Sequence, residues 1–315
     1  LQFSRSTWSI LNIIKLYKSK HSSKKKIKVL LPIFYCADTV EQISNHCHEV
    51  HFYSYNNDST VDLNDLTNKI HFVNPDILIY SHFYFSFLEV NQIKKILDNS
   101  KIWIIEDCVQ FFIPNKYVGL FGDFIIYSPY KFIPVYELAI LVFTKKSSRI
   151  NIINHSTMTN NLKLYRLENA LSFLKNLFKV LKFVFKQILL KFGLKKIKFV
   201  QFEGKVNPSK LSQPKPTIFS LVLFNSANID QILIQRQLNF KILMNFIKQI
   251  DREDLFDISK YVKIEQVFYN CDYYPLTFPL FLKNKKYTIY FYENLIKNNF
   301  EVNSWPDLPL DKLDG

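Results

Sequence analysis

Trp103–Lys146 reads WIIEDCVQFFIPNKYVGLFGDFIIYSPYKFIPVYELAILVFTKK, and its apolar runs give way abruptly to polar residues. Ile102–Ile105 ends in Glu106-Asp107, Phe124–Tyr127 ends in Ser128, and Leu138–Phe143 follows soon after. Each run is continuously apolar rather than alternating, as in strands covered on both faces. Working upstream, Asp76–Tyr80 (DILIY) follows Asn74-Pro75, Val50–Tyr53 is a further strand, and Lys28–Leu31 (KVLL) stops at Pro32. Helical spacing falls between these runs, over residues 7–17, Asp38–His48, Asp62–Ile70 and Val90–Leu97, with Ser6 or Thr7 as the first N-cap. Strands alternating with helices predict an α/β domain with a mainly parallel sheet. In such sheets the ligand lies at the carboxyl ends of the strands, so the residues just after each run matter most.

Downstream the pattern changes. Residues 164–200 read as helical, Pro208–Pro216 as an irregular connection, Ile218–Leu223 (IFSLVL) as a strand and Ile229–Ile250 as a long helix. Short strands and a helix near Tyr287–Lys297 close the chain. The expected division is a large α/β domain over 1–150 and a smaller C-terminal α+β domain over 151–315, the latter with a basic amphipathic helix near 173–200.

Composition narrows the classes. With 315 residues, 48% of them hydrophobic, the chain can build a sizeable core, and 5 glycines exclude a collagen-like sequence. The four cysteines form no CxxC pair, which fits a reducing cytoplasm better than a disulfide-stapled secreted fold. The net charge of +14 is concentrated: residues 1–28 and 173–200 each carry eight basic residues and no acid, so the remainder is nearly neutral. That argues against a uniformly basic nucleic-acid-binding surface. No apolar run has the roughly 18 uncharged residues of a membrane span. The chain begins at Leu1 rather than methionine, as expected of a sequence whose natural start lies upstream.

Lys175, Lys179, Lys182 and Lys186 share one helix face, with Leu174, Leu177, Phe178, Leu181, Phe185 and Ile188 on the remainder. Such a helix either lies on an anionic membrane or packs on its own domain with a lysine-coated solvent face. His46-Cys47-His48 with His51 lacks a second ligand group at metal-binding spacing and reads as a surface turn, so no metal is expected. His82 ends a strand and either lines the site or packs beneath it. No GxGxxG, P-loop or Ser-His-Asp arrangement is present.

The residues with chemistry to offer sit where an α/β site belongs. Ser6 and Thr7 open a helix whose amides and dipole favour a phosphate. Asp107 ends one strand with Gln110 a turn on, and Ser128 ends another with Lys131 three residues later. Singly these are a helix cap, a loop acid and a surface lysine. Together they are the kit of a pyridoxal phosphate site: a Schiff-base lysine, an acid for the pyridinium nitrogen, and hydroxyls and amides for the phosphate.

The order of these residues resembles the DegT/DnrJ-type sugar aminotransferases, pyridoxal phosphate-dependent enzymes of fold type I. Glu106-Asp107-Cys108-Val109-Gln110 is similar to the EDxAQ motif, Gly122-Asp123 to the GD motif, and Ser128 and Lys131 to the serine and lysine that follow. SRSTWSILNII resembles the opening SGRSAL, LPIFYCADTVEQI resembles VPSFTFVATANAI, Arg236 and Asn239 resemble an RxxN motif, and FEVNSWPDLP resembles the closing WPxLP. The resemblance implies that Lys131 is the Schiff-base lysine and proton carrier. It implies that Asp107 pairs with the pyridinium nitrogen, that Gln110 contacts the ring hydroxyl side, and that Ser6, Thr7 and Ser128 hold the phosphate. It further implies amino transfer, usually from glutamate, to a nucleotide-linked keto sugar for a surface polysaccharide such as lipopolysaccharide, in a cytoplasmic homodimer. The sequence departs from the family in three places. Tyr136-Glu137-Leu138-Ala139 stands where the family has GEGG, Cys36 stands where many members stack an aromatic (with Phe34 or Tyr35 as substitutes), and Ser4 replaces the opening glycine. The other expectation these departures raise is a catalytically altered relative serving as a membrane-peripheral binding or scaffold protein.

Overall fold

The computed structural model describes residues 1–21, 26–47, 49–56, 60–83, 89–98, 100–144, 215–250, 254–270, 274, 276–298, 300 and 302. The strands are β1 (Gln2–Phe3), β2 (Lys28–Pro32), β3 (Glu49–Tyr53), β4 (Ile77–Ser81), β5 (Trp103–Asp107), β6 (Phe124–Tyr127) and β7 (Ala139–Phe143). They form one seven-stranded sheet in the order β1-β7-β6-β5-β4-β2-β3. β2 to β6 run parallel, while β7 is antiparallel to both β6 and β1. The α/β, mainly parallel expectation therefore describes the molecule.

The helices before the sheet closes are α1 (Ser6–Lys20), α2 (Ala37–His46), α3 (Leu63–Val73) and α4 (Val90–Ile96). The reason the strand sequences are continuously apolar is visible in their two faces. Val29, Leu31, Ile77, Ile79, Ile105 and Ile126 bury against Ile10, Leu11, Ile13 and Ile14 of α1 and Val40 and Ile43 of α2. Their neighbours Leu30, Leu78, Tyr80, Ile104 and Ile125 point the other way, into a second cluster. Alternation along each strand thus feeds two cores at once, and each fully buried Ile or Leu contributes about 1.5–3 kcal/mol. α3 is bounded by its own sequence. Asp62 accepts from Asn64 N and Asp65 N at 3.0 Å, and Asn74 ends the helix in the left-handed region at φ 49°.

The second cluster is completed from the far half of the chain by Phe240, Met244, Ile247, Tyr261 and Ile264. These lie on α6 (Ile229–Gln249) and α7 (Ile258–Asn270), which follow α5 (Ile218–Ser226) and precede α8 (Lys285–Lys297).

Several local expectations are corrected. Arg5, not Ser6 or Thr7, is the N-cap of α1, and its side chain makes no capping hydrogen bond; Ser6 and Thr7 are the first helical residues. Ile218–Leu223 is helical: Thr217 caps α5 by accepting from Ser220 N at 3.3 Å. A six-residue apolar run has too few positions for its period to separate strand from helix, and here the cap decides. In place of closing strands, the described residues from 254 onward hold α7, α8 and one antiparallel bridge, Phe256 to Leu282. The basic helix of 173–200 and the WPDLP stretch lie outside the described residues.

Candidate active site

β2, β4, β5 and β6 end on the same edge of the sheet because they run parallel, and a cleft of about 2040 Å³ opens there. Ser6 and Thr7 reach it from α1, Phe34, Tyr35 and Cys36 from the end of β2, Ser81 and Phe83 from β4, and Asp107 and Gln110 from β5. Lys131 reaches it from the 3-10 turn Pro129–Lys131 after β6. Five of the six residues singled out in the sequence thus line one space. The sixth, Ser128, is fully buried where β6 ends, and its Oγ has no hydrogen-bond partner among the described residues. Thr7 Oγ1 is paired with Thr39 Oγ1 at 2.9 Å, and both residues border the cleft.

Asp107 is the buried acid of the cleft. Its Oδ1 accepts from Val109 N at 3.1 Å, and its Oδ2 accepts from the Tyr35 phenol at 2.5 Å. Burial raises the carboxyl above its ordinary value of 3.8; the Tyr35 hydrogen bond, the Lys131 charge, the Val109 amide and His82 draw it partly back. Lys131 also lies close enough to Cys36 to favour its thiolate, although burial keeps that thiol raised.

Glu106, the next residue back, has a different task. It points to the opposite face of the strand and accepts from His82 Nε2 at 2.8 Å and from the amides of Gly119, Phe121 and Gly122 at 2.6, 2.9 and 2.9 Å. Burial alone would raise its carboxyl; the His82 contact and the amides outweigh that and hold it below the usual 4.5. The segment between β5 and β6 therefore wraps around a carboxylate. Gly122 allows this approach, since a Cβ there would meet Glu106 Cβ at 2.7 Å, and Gly119 turns at φ +81°. His82 is fully buried in this arrangement and does not border the cleft. His82, Glu106 and Cys108 bring ligand-type atoms within 4.8 Å of one another. Both Glu106 oxygens are already taken up by N–H donors, so the cluster reads as the anchor of a loop.

Three further residues make contacts that the sequence did not assign to them. The Arg5 guanidinium stands 4.5 Å from the Tyr130 ring centroid, at the start of α1, adding a cation to the anion-attracting helix end. Arg236 of α6 donates to Phe132 O at 3.1 Å and Leu276 O at 3.0 Å, tying the helix to the residue after Lys131. Glu137 is buried and accepts from Thr217 N at 2.9 Å, while Leu138 packs with Phe132, Ile133 and Val135. Of the positions where the resembled family has glycines, Leu138 and Ala139 are thus fully buried, while Tyr136 is exposed. The sequence offered Tyr35 only as a stacking substitute and Arg236 only as part of an RxxN motif; nothing local shows the contacts they make, because their partners lie 72 and 104 positions away.

A primary amine, a buried carboxylate, an unpartnered hydroxyl and a cation beside a helix N-terminus can together hold an anionic carbonyl compound and condense with it. No family model and no curated protein matches the chain. Among solved structures it is similar to GDP-4-keto-6-deoxymannose-3-dehydratase with bound GDP-perosamine, at 18% identity and TM-score 0.38, over 45% of this chain and 39% of that one. It is similar to a DegT DnrJ EryC1 StrS aminotransferase from Brucella abortus, at 19% and 0.38, over 46% and 41%. A PLP-bound C-S lyase from Staphylococcus hominis is similar at 12% and 0.37, over 49% and 45%. The chain spans less than half the length of each of these. The functional reading rests on the site's own residues.

Proposed function

We propose that the chain is a pyridoxal phosphate-dependent aminotransferase that places an amino group, from a donor such as glutamate, on a nucleotide-linked keto sugar for a surface polysaccharide. The observation that carries this reading is the convergence of Lys131, Asp107, Gln110, Ser6 and Thr7 on one cleft, with the Ser128 hydroxyl buried where β6 ends and unpartnered among the described residues. The residues present fit the cofactor. Arg5, Ser6, Thr7 and Ser128 would hold its phosphate, Asp107 its ring nitrogen, Gln110 its hydroxyl side and Lys131 its aldehyde carbon. When bound, the cofactor supplies an electron sink for a carbanion at the amino-bearing carbon.

The chain's own part is binding, orientation and proton movement. Asp107, raised by burial and drawn partly back by its donors and the Lys131 charge, would pair with a positive charge in a desolvated pocket, where that attraction is stronger than in water. Lys131, free of a side-chain ion pair among the described residues, carries a proton between neighbouring carbons. The cleft of about 2040 Å³ exceeds the roughly 300–1,000 Å³ of an ordinary ligand pocket, leaving room for a second, nucleotide-sized molecule. Phe34, 39% exposed at its rim, offers a ring for stacking. A cytoplasmic homodimer belongs to the same proposal.

The test is the visible absorbance of the purified protein after pyridoxal phosphate is added, beside Lys131→Ala. A band in the parent that borohydride traps, and that the variant lacks, is the expected result. No band in either protein would reject the enzyme and favour the altered, binding relative.

A further inference from the structure

Tyr35 stands in a stretch where the family resemblance calls for a ring-stacking aromatic, yet its phenol is committed elsewhere. It reaches from the end of β2 past β4 to Asp107 at the end of β5, and both side chains are buried, at 5% and 2% exposure. We propose that Tyr35 is the positioning residue of the acid: with Val109 N on Oδ1 and the Tyr35 hydroxyl on Oδ2, the carboxylate plane of Asp107 is fixed, and its remaining lone pairs are left for a cation bound in the cleft.

The direction of this hydrogen bond is enforced. Burial, and next the neighbouring Asp107 charge, push the Tyr35 phenol far above its ordinary value, so it remains a donor throughout the working pH range. Asp107 is the acceptor, and of the influences that oppose its protonation the Tyr35 hydroxyl is the largest, ahead of Lys131, Val109 N and His82. The other titratable groups that bear on Tyr35 are Cys36 and Tyr53, both adding negative charge when ionised and so favouring the protonated phenol. A carboxylate accepts at about four lone-pair sites, so two donors leave it able to receive a third. A hydrogen bond to a charged group carries enough free energy that losing it changes an equilibrium by about tenfold or more.

This inference rests on the cofactor reading only for its second arm, and the experiment separates the two. The first arm uses the protein without cofactor. Infrared difference spectroscopy across a pH titration follows protonation of the buried carboxyl, with Asp107→Asn identifying its band. In Tyr35→Phe, which keeps the ring and removes only the hydroxyl, the midpoint should rise by about one pH unit, the tenfold change expected above. The second arm measures affinity for pyridoxal phosphate and for its 1-deaza analogue, which lacks the ring nitrogen. Tyr35→Phe should weaken the first about tenfold and leave the second unchanged. An unmoved carboxyl titration overturns the proposal, as does equal weakening of both ligands, the mark of a merely structural role. If the parent binds neither ligand, the cofactor reading fails while the infrared titration still decides the role of Tyr35. Should Tyr35→Phe not fold, 3-fluorotyrosine at position 35, a stronger donor, must move the midpoint down instead; no movement there also rejects the idea.

Discussion

Glu106 and Asp107 are consecutive carboxylates on one strand, and the fold gives them opposite titration behaviour. Asp107 has few donors for its burial and is raised; Glu106 is ringed by amides and His82 and is lowered. Because the folded Glu106 value lies below the unfolded one, its contribution to stability is present above the unfolded value. It is lost as pH falls through the folded value. The sign for Asp107 is reversed: its cost to the fold is absent below the unfolded value, grows as pH rises past it and is fully present above the raised folded value. Glu106→Gln replaces one acceptor oxygen with a donor facing amide N–H groups, so it should destabilise the protein by about 3 kcal/mol at neutral pH. Urea unfolding at neutral pH and again below about pH 4.5 would measure this, and the gap between parent and variant should narrow on acidification. An equal gap at both would mean that Glu106 is not the charged anchor of the loop.

At the scale of elements, the turn that presents Lys131 is short and held from outside. Its own bonds are Lys131 N to Ser128 O at 3.0 Å and Phe132 N to Pro129 O at 2.9 Å. Arg236 adds a charged clamp from α6 on Phe132 O, with its guanidinium 5.1 Å from the Phe132 ring centroid. Arg236→Met keeps much of the aliphatic bulk and removes the clamp, so amide hydrogen exchange over 131–133 should accelerate about tenfold. Unchanged exchange would show the turn to be self-sufficient. The same scale explains the misread helix. IFSLVL has strand-like composition, but Thr217 caps it and Phe224 and Leu221 pack onto the Phe132–Leu138 cluster, so tertiary contacts override the local preference. β2, β4, β5 and β6 were legible for the opposite reason: a strand buried on two faces writes its burial into every position of its own sequence.

The whole molecule leaves an apolar stripe on α6. Ile234, Leu238 and Ile242 recur every fourth residue and are 55%, 47% and 65% exposed, with Phe246 also outward. If the proposed homodimer forms through this face, the assembly state reads it directly. Sedimentation equilibrium should then give twice the 37.5 kDa chain mass, and Leu238→Lys should return it to one. A parent that sediments as a monomer at micromolar concentration would remove the dimer from the proposal. Among the described residues no single helix is long and apolar enough to cross a membrane.

The sequence by itself determined the α/β class, the positions of β2 to β7, and the places of Asp107 at the end of one strand and Lys131 just after another, because burial, strand period and breaker residues are local properties. Tertiary structure decided which neighbours those residues meet. Glu106 and Asp107 part company through strand alternation, Tyr35 reaches Asp107 across 72 positions, and Arg236 reaches the Lys131 turn across 104. Such pairings depend on which strands and helices come to lie side by side, and a chain read one residue after another carries no local trace of that.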